Sequence, residues 1–579
     1  LDTSVHVETL TVRGTLSWDT AKDGLELRAG YVLVDDGGRL QVGTRAEPMD
    51  LGATIYITKG PHSHPQLGHR FLGGRGSATV DIHGRRLVRT WSLLARNAPA
   101  GSTRLHIKDD PLAMGWRAGD RVGVATTSPH TSGRQSTVHL VTGVAPGHID
   151  VAEPLKAEHW GGFREIKGRR FEMAAEVVNL ERSVLITGDS QDIEATGEGL
   201  HTIMTGTGYM DMRYARVENC GQRPLMGRYC LHFHLMHACP RCVFQGNAVV
   251  GSQHVGITIH GTHRTMVDQN VLWNARAVGL YTEDGNEMHN TFSRNVIVCT
   301  WWQYCSVDWV GGVASQGGGV FWIGMTNNLI ENRVVGYEIA FWTPGAFRGN
   351  GHGRAVGRVC PTFTPFGEIR GNVMHDSARF GMYLDNQFPR NVQRDDDGYL
   401  TSRDSCNTFT PDGRDNGVVN EVRDQFDWHN TYVGQYALGD IQFINYTSVN
   451  NGHAMYWKQS KNFADGRLWH MIGCTFANDI NDPNRFGTLQ ILGPSGPFTF
   501  GMKDSVFLGS TAGSAGAVQA GQHCGQGGAG GPCNVQYLLD NVDFSGLEPG
   551  STAIQLGVPQ NGFDQAHVLP MFVARDGSL

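Results

Sequence analysis

The sequence predicts an all-β fold built mainly from a parallel β-helix, and two observations carry that prediction. Glycine is unusually common, with 77 of 579 residues, which is typical of many tight turns between short strands. An asparagine followed by apolar residues also recurs, at first with a period of 23 to 25 residues. Short strands that repeat with such a period indicate stacked coils, each coil forming one rung of a solenoid.

Residues 1–190 are predicted to form a first β domain. Short runs such as Leu25–Leu27 and Thr54–Ile57 alternate apolar and polar side chains and are separated by glycines. Alternation of this kind indicates strands with one buried face, and the glycines mark the turns between them.

The asparagine repeat marks the coils of the predicted solenoid, which we place at residues 191–510. The first two steps between its members are 23 and 25 residues, and the next two are 37 and 40, as insertions would make them. Stacked asparagines can hydrogen-bond along the turns, as ladders do in cross-β stacks. The members are Asn247, Asn270, Asn295, Asn332 and Asn372.

Three strands in the segment Tyr229–Gly285 match position for position and end on His234, His260 and Glu283. Alternate side chains of a strand point to opposite faces, and the intervening positions are apolar. We therefore expect the two imidazoles and the carboxylate to face outward, one above another, at a spacing of about 4.8 Å.

Two histidines and one carboxylate form a recognised metal-ligand set. Histidine ligands favour zinc, manganese, iron or nickel over calcium, which prefers oxygen ligands. The sequence therefore predicts a divalent transition metal at His234, His260 and Glu283. The alternative is a hydrogen-bonded ladder of the same side chains without a metal.

Continuing this column adds candidate catalytic residues to Glu283. Asp308 follows Glu283 by 25 residues, and the strands that end on Asp385 and Lys458 resemble the strand that ends on Glu283. Hydrolysis of a glycan needs two carboxylates that flank the bond. For β-elimination of a uronate, Lys458 would act as the base. Asp284 is expected to point inward unless the strand ends before it.

Aromatic residues occupy the neighbouring outward column and suit a sugar-binding wall, because apolar sugar faces stack on rings. Phe341 is a further candidate for this wall, and about half of the aromatics could equally be packed under loops. The predicted substrate-binding residues are His232, Tyr281, Trp322, Trp342, Tyr383 and Tyr456.

Composition narrows the class of protein. The net charge is −7 and no basic aromatic stripe is present, which disfavours nucleic-acid binding. No apolar run is long enough to span a membrane.

The 11 cysteines favour disulfides, although Cys239-Pro-Arg-Cys242 could also be a redox or zinc pair. Asn445 begins a lone glycosylation sequon.

Two further segments differ from the repeat. The acidic stretch Pro389–Asp424 is predicted to be either a solvated loop or an oxygen-rich calcium loop. Residues 511–579 are predicted to form a glycine-rich loop, which Cys524 and Cys533 would close, and a short β tail.

The chain resembles a known pairing, an eight-glycine domain continuous with a right-handed, pectin-lyase-like parallel β-helix. The pairing occurs in the cell-migration-inducing hyaluronidase, the transmembrane cell-surface hyaluronidase and the fibrocystins. Its first part is carried by Gly14–Trp18, Gly37–Thr44 and Gly115–Asp120. Its second part is carried by Leu231–His234 and Ile259–Thr262, and by Thr282–Gly285, Phe321-Trp322 and Asn327-Asn328.

The resemblance implies a secreted or cell-surface protein that is part of a longer chain, since the family's first domain usually begins before Leu1 and its chains continue past Leu579. It also implies two functions. One is metal-assisted depolymerisation of a hyaluronan-like polysaccharide, as a hyaluronidase-type glycoside hydrolase or, less in keeping with the family, a lyase. The other is a non-catalytic surface or adhesion protein of the fibrocystin type, with other extracellular proteins as partners. Some family members are calcium-dependent, which a separate calcium site in the acidic stretch would explain.

Overall fold

The computed structural model shows a parallel β-helix whose coils stack from Val5 to Ala574. Each coil contributes one strand to each of three long sheets, and each sheet has 15 strands. The structure describes residues 1–129, 135–305, 309–310, 313–314, 318–401, 417–460, 463, 465–483, 487–494, 499–511, 516–520, 536–556 and 571–574. No helix in this described part is long and apolar enough to cross a membrane.

The first sheet is short-stranded and rich in valine. Its strands, in order across the sheet, are β1 (Val5–His6), β4 (Leu25–Ala29), β7 (Ala53–Ile57), β18 (Val184–Gly188), β21 (Ala215–Glu218), β24 (Ala248–Val250), β27 (Val271–Trp273), β30 (Val296–Val298), β35 (Arg333–Val335), β38 (Val373–His375), β41 (Phe426–Trp428), β44 (Thr447–Val449), β47 (Thr475–Ala477), β50 (Val506–Gly509) and β53 (Asp543–Leu547).

The second sheet carries the predicted site. Its strands are β2 (Leu10–Val12), β5 (Val32–Val34), β8 (Phe71–Gly74), β19 (His201–Thr205), β22 (Leu231–Ala238), β25 (Ile257–His263), β28 (Leu280–Thr282), β33 (Gly318–Trp322), β36 (Ile339–Thr343), β39 (Phe380–Gln387), β42 (Val433–Gly439), β45 (His453–Gln459), β48 (Ile491–Leu492), β51 (Gly516–Ala520) and β54 (Thr552–Leu556).

The third sheet closes each coil. Its strands are β3 (Thr15–Ser17), β6 (Arg39–Val42), β9 (Thr79–His83), β20 (Tyr209–Arg213), β23 (Val243–Gln245), β26 (Met266–Asp268), β29 (Thr291–Ser293), β34 (Asn328–Ile330), β37 (Ile369–Arg370), β40 (Asn420–Arg423), β43 (Ile441–Ile444), β46 (Met471–Ile472), β49 (Thr499–Lys503), β52 (Gln536–Asp540) and β55 (Met571–Ala574).

An insertion between β9 and β18 folds into an antiparallel sheet beside the solenoid. Across that sheet the order is β10 (Trp91–Leu93), β17 (Glu176–Asn179), β12 (Arg121–Val124), β13 (Thr137–Ala145), β14 (His148–Val151) and β11 (Arg104–His106). Two hairpins, β15 (Arg164–Ile166) with β16 (Arg169–Phe171) and β31 (Trp309–Val310) with β32 (Val313–Ala314), complete the strands. The helices are short: α1 (Pro111–Met114), α2 (Ile193–Thr196), α3 (Gly351–Val356) and one 3₁₀ turn (Pro361–Phe363).

The all-β prediction and the parallel β-helix are confirmed, and the solenoid extends beyond its predicted limits. β7 pairs with β18 in one continuous parallel sheet, so the predicted division at residue 190 falls inside the stack of coils. The strands β51 to β55, which lie in the predicted tail, continue the same three sheets.

The predicted asparagine ladder is present at the corner between the third and first sheets. Asn295 is fully buried, and its side-chain oxygen accepts from the backbone N–H of Asn270 at 2.9 Å. Its side-chain nitrogen donates to the oxygen of Asn332 at 2.9 Å, and the same contacts recur along the ladder. The residue before each asparagine, such as Arg294 with φ 52°, has a left-handed backbone that turns the chain.

The insertion docks on the outward face of the first sheet through apolar contacts and a buried chain of charges. Glu176 of β17 contacts Arg333, and its carboxylate lies 3.1 Å from Nε2 of His375. Nδ1 of His375 lies 2.7 Å from Asp376, whose other oxygen lies 3.5 Å from Nδ1 of His429. These side chains are almost fully buried, so each charge depends on its neighbours for stabilisation.

The substitution His429→Asn tests this chain of charges, since asparagine tolerates the left-handed backbone there (φ 55°). Burial alone would lower the pKa of His429, but contacts with Asp376 and Asp482 outweigh it and raise the pKa to about 9. The folded-state pKa thus exceeds the unfolded value of about 6.5. The stabilisation is therefore complete below that pH and is lost as the pH rises through about 9. We expect the melting temperature of the wild type to fall over this interval more steeply than that of the variant.

The matched control is His237→Asn, because His237 is exposed and also has a left-handed backbone (φ 53°). Its melting temperature should follow the wild-type pH profile. Parallel profiles for the wild type and His429→Asn would contradict the assignment of this stabilisation to His429.

Candidate functional site

The register of the second sheet agrees with the alignment made from the sequence. His234 pairs with His260 across β22 and β25, and Ile259 pairs with Thr282 of β28, directly before Glu283. The alternate positions, Phe233 and Ile259 among them, lie in the core of the solenoid. The two histidines therefore point away from the core.

His260 is the centre of a group of polar side chains, the histidine cluster, whose other members are His232, His234, Glu283 and Asp284. Its Nδ1 lies 3.0 Å from Nδ1 of His234 and 3.5 Å from Oε2 of Glu283. Its Nε2 lies 3.2 Å from Oδ1 of Asp284. The hydroxyl of buried Tyr229 donates to Glu283 at 3.2 Å. The three predicted ligands thus converge on one small volume, and Asp284 joins them.

The pKa values of His234 and His260 shift in opposite directions. Burial, together with the charge of His260, lowers the pKa of His234 to about 3. Burial would also lower the pKa of His260, but Glu283 and Asp284 outweigh it and raise the pKa to about 9. Burial raises the pKa of Glu283, and His260 opposes that shift. At neutral pH a protonated His260 therefore donates to a neutral His234.

Two acidic residues of this site were not among the predicted site residues. The strand β28 ends at Thr282, so Asp284 does not continue the alternation and its carboxylate turns toward His260. Glu287 accepts hydrogen bonds from the backbone N–H groups of Gly261, Asp284 and Gly285 at 2.7–2.9 Å, which fixes this turn. The signal in the sequence was the acidic run with Asp-Gly directly after a strand, which marks a turn.

A segment that includes α3 covers the carboxylates. The backbone N–H of Asn350 donates to the carbonyl of Asp284 at 3.0 Å, and its side chain donates to the hydroxyl of Tyr281 at 3.4 Å. Asp284 is fully buried, and among the described residues its carboxylate has one ion-pair partner, Nε2 of His260. Only His234 of the cluster is partly accessible to solvent.

The side chains can supply a tetrahedral metal-ligand set. Ring nitrogens of His232, His234 and His260 lie within 4.8 Å of one another. Nδ1 of His232 donates a hydrogen bond to the carbonyl of Gly227, and Nε2 of the same ring has no hydrogen-bond partner in the described structure. Zinc bonds of about 2.0–2.1 Å place tetrahedral ligands roughly 3.3 Å apart, which is close to the His–His and His–Glu283 separations. His232, predicted to contact substrate, therefore lies among the candidate ligands.

The predicted aromatic column is continuous, and Phe321 occupies the position predicted for Trp322. The register runs from Tyr281 through Phe321, Trp342 and Tyr383 to Tyr436 and Tyr456 in one outward column. Neighbouring ring centroids lie 4.3–6.4 Å apart.

The prediction for Trp322 is wrong. Trp322 follows Phe321, so it points inward, where it is fully buried against Phe292 and Phe341. Tyr281 and His232 face outward but are fully covered by neighbouring residues. Half-buried Trp342, Tyr383 and Tyr456 are left as the accessible part of the predicted wall.

The predicted catalytic residues separate into two places. β28 pairs with β33, and three rung steps separate Glu283 from Asp385, a distance of about 14 Å. Two carboxylates that flank one glycosidic bond lie roughly 5–9.5 Å apart, so Glu283 and Asp385 are not such a pair. Burial raises the pKa of Asp385 to about 6, and Lys458 opposes part of this shift. Asp308 lies outside the described residues.

Disulfides are present where the cysteines cluster. Cys220 pairs with Cys230, Cys239 with Cys242, and Cys299 with Cys305. The Cys239–Cys242 pair is therefore a disulfide rather than a zinc site. Cys524 and Cys533 lie outside the described residues.

The described part of the acidic stretch contacts strand β22 through Asp397. Asp397 lies 3.1 Å from His237, and its carbonyl accepts from the side chain of Asn286 at 2.8 Å. Two clusters of metal-ligand side chains occur among the described residues, His232 with His234 and His260, and Asp81 with His83 and Asp211. Both lie outside the acidic stretch, so the calcium loop stays a prediction. Asn445 of the sequon is exposed.

Two segments of the chain match known protein families. Residues 1–95 match the model of the G8 domain, and residues 197–382 match the CEMIP beta-helix. The chain is 28% identical to fibrocystin-L of Mus musculus over 76% of this chain and 27% identical to that of Homo sapiens over the same share. A G8 domain-containing protein of Dictyostelium discoideum is 31% identical over 39% of this chain and 20% of its own length.

The chain spans about a tenth (11%) of the length of the two fibrocystin-L relatives. Among solved structures, the catalytic domain of a GH87 α-1,3-glucanase covers 86% of this chain with 9% identity and a TM-score of 0.40. At that similarity the solved structure carries no argument about chemistry. The resemblance to the pairing of a G8 domain with this β-helix is confirmed by the family matches.

The cover over the carboxylates predicts different effects for two glycines. A Cβ at Gly351 (φ 45°) would lie 2.6 Å from Oδ1 of the fully buried Asp284, whereas one at Gly357 (φ 74°) would meet nothing within 4 Å. Both alanine variants pay about 1 kcal/mol for the left-handed backbone. Gly351→Ala should lose a further 1–2 kcal/mol or so, because the buried carboxylate must move. Denaturant unfolding and hydrogen exchange of residues 344–364 measure the difference, and equal losses would contradict the contact.

Proposed function

We propose that this chain, which matches the G8 domain over residues 1–95 and the CEMIP beta-helix over residues 197–382, is an extracellular carbohydrate-active protein. Its activity would be metal-assisted cleavage of a hyaluronan-like acidic polysaccharide. The observation that carries the proposal is the convergence of His232, His234, His260 and Glu283 on one side of an aromatic column. The disulfides support a secreted or cell-surface location.

The polysaccharide would lie along the outward face of the second sheet. Half-buried Trp342 and Tyr383 lie on adjacent rungs, and half-buried Tyr456 lies two rungs further along. The apolar faces of sugars can stack on these rings. The histidine cluster lies at one end of this column, Asp385 lies within it on β39, and Lys458 lies at the other end on β45. A chain of several sugars is needed to reach both, which favours a polymer over a small glycan.

Asp385 is the residue best suited to proton transfer. Its pKa of about 6 allows it to exchange a proton near neutral pH, and Tyr383, on the same strand β39, favours its charged form. Lys458, two rungs further along the sheet on β45, supplies a positive charge that would stabilise an anionic sugar carboxylate. A divalent metal held by His234, His260 and either His232 or Glu283 would neutralise another acidic group of the polymer.

A second function is a non-catalytic surface or adhesion protein. The 76% of the chain that aligns with fibrocystin-L favours it, as does the burial of all but one side chain of the histidine cluster. In this case the cluster would stabilise the coils, and other surface proteins would be the partners. The two functions differ in whether glycan is turned over.

The metal proposal predicts binding by the protein after removal of metals with a chelator. Added Zn²⁺ should raise the melting temperature, because binding at 100 times the dissociation constant stabilises a fold by about 2.7 kcal/mol. His234→Ala should weaken binding at least tenfold or so, since it removes a ligand. His237→Ala, on the same strand but exposed and paired with Asp397, is the control and should bind as the wild type does. If none of Zn²⁺, Mn²⁺ and Ni²⁺ changes the melting temperature of the wild type, the metal proposal is wrong.

The activity predicts shortening of hyaluronan or a related uronate polymer by the metal-loaded protein, followed by light scattering. Asp385→Asn should lower the rate about 100-fold or more, because it removes the proton-transfer group. His237→Ala should retain the wild-type rate. Ultraviolet absorbance of an unsaturated sugar in the products would indicate elimination, and its absence would indicate hydrolysis. Polymers that keep their full length with every metal would favour the adhesion function.

A further inference from the structure

We propose that the outward face of the third sheet carries a second ligand site, an arginine-lined groove that binds the carboxylate or sulfate groups of an acidic saccharide. The groove lies on a different face of the solenoid from the histidine cluster. It is formed by β6, β9, β20 and β23 with the turns that follow β6 and precede β23. The proposal therefore does not depend on cleavage of glycan at the second sheet.

The groove consists of two adjoining clefts of about 490 and 240 Å³. They share Thr44, Arg45 and His83. Asp81 and Asp211 form the floor on adjacent rungs, where β9 and β20 pair in parallel. Five arginines line the two clefts: Arg39, Arg45, Arg86, Arg213 and Arg241.

The arginines outnumber the acids of the groove, and they already neutralise them. Arg39 donates to Asp81 at 2.9 Å, while Arg45 and Arg213 donate to Asp211 at 2.8 and 2.6 Å. Each guanidinium has five N–H donors in a fixed fork, so these bonds leave further donors of exposed Arg39 and Arg45 for a ligand. A cation would have to displace these ion pairs, whereas an anion completes them.

A disulfide-closed turn forms one wall of the groove. Cys239 and Cys242 are bonded to each other, and the turn between them presents Pro240 and Arg241 to the larger cleft. The guanidinium of Arg241 lies 3.6 Å from the ring centroid of Tyr209, so the ring holds it over the groove. The Cys-Pro-Arg-Cys sequence thus has a structural role here, which is to place a cation.

The arrangement fits an acidic saccharide better than a single small anion. The cations are spread over several rungs of about 4.8 Å each, so a ligand with more than one acidic group can contact several of them. Thr44 and Gln245 provide neutral polar groups between the arginines, which suit sugar hydroxyls. The groove is positive although the chain carries a net charge of −7, so it would attract anions locally.

Binding is measured on the metal-free protein with fluorescently labelled oligosaccharides, one carboxylated (hyaluronan) and one sulfated (heparin-derived). We expect Arg45→Ala and Arg241→Ala each to weaken binding about fivefold, and the double variant about 20-fold or more, with the wild-type affinity falling as salt rises. The matched control is Arg104→Ala, an exposed arginine paired with Asp150 on the insertion, which should bind as the wild type does.

Three results would overturn the proposal. The first is unchanged affinity in the double variant while its melting temperature equals that of the wild type. The second is inorganic sulfate that binds as tightly as either saccharide, which would make the groove a site for small anions. The third is binding of Ca²⁺ or Zn²⁺ that Asp211→Asn abolishes and the arginine variants do not. Because these experiments measure binding and not cleavage, their results are independent of any failure of glycan turnover.

Discussion

The registration of one coil on the next is the constraint on which the rest of the structure depends. It is fixed at the corner between the third and first sheets, where each buried asparagine satisfies its own side chain and the backbone N–H of the coil before it. A slip by one residue would leave these buried groups unpaired at a cost of about 1–3 kcal/mol each. It would also exchange the inward and outward faces of every strand. The ladder therefore holds His234 above His260 without any direct contact with that pair.

Once registration is fixed, the three outward faces can serve different purposes. The first sheet is covered by the insertion, and the contact is close enough that a Cβ at Gly123 would lie 2.4 Å from Trp273. The third sheet is open and lined by arginines along part of its length. The second sheet is covered over the histidine cluster and more open along Trp342, Tyr383 and Tyr456. Stacking at about 4.8 Å turns a repeat in the sequence into a row of side chains on one face, which is why each face has a single character.

The sequence predicted those features that depend on short, regular spacing. The steps of 26 and 23 residues from His234 to Glu283 contain no long insertion, so alignment alone placed the histidines correctly. The chain between β28 and the next strand of the sheet, β33, contains an insertion. A step of 25 residues from Glu283 therefore led to Asp308, which precedes β33. The prediction of Trp322 failed separately, because Phe321 is the residue in register with Tyr281. Asp284 and Glu287 could not be placed from alternation, because they follow the end of a strand.

The charged contacts between distant parts of the chain were beyond prediction for a different reason. Glu176 and His375 are 199 residues apart, and neither belongs to a motif that signals the other. Their pairing follows from where the insertion lands on the first sheet. The histidine cluster shows the same principle at short range: His234 and His260 have the same ring and similar burial, yet their pKa values move in opposite directions. Of these two histidines, only His260 has carboxylates on both of its ring nitrogens. Its pKa is therefore set by the turn after β28 rather than by the column itself.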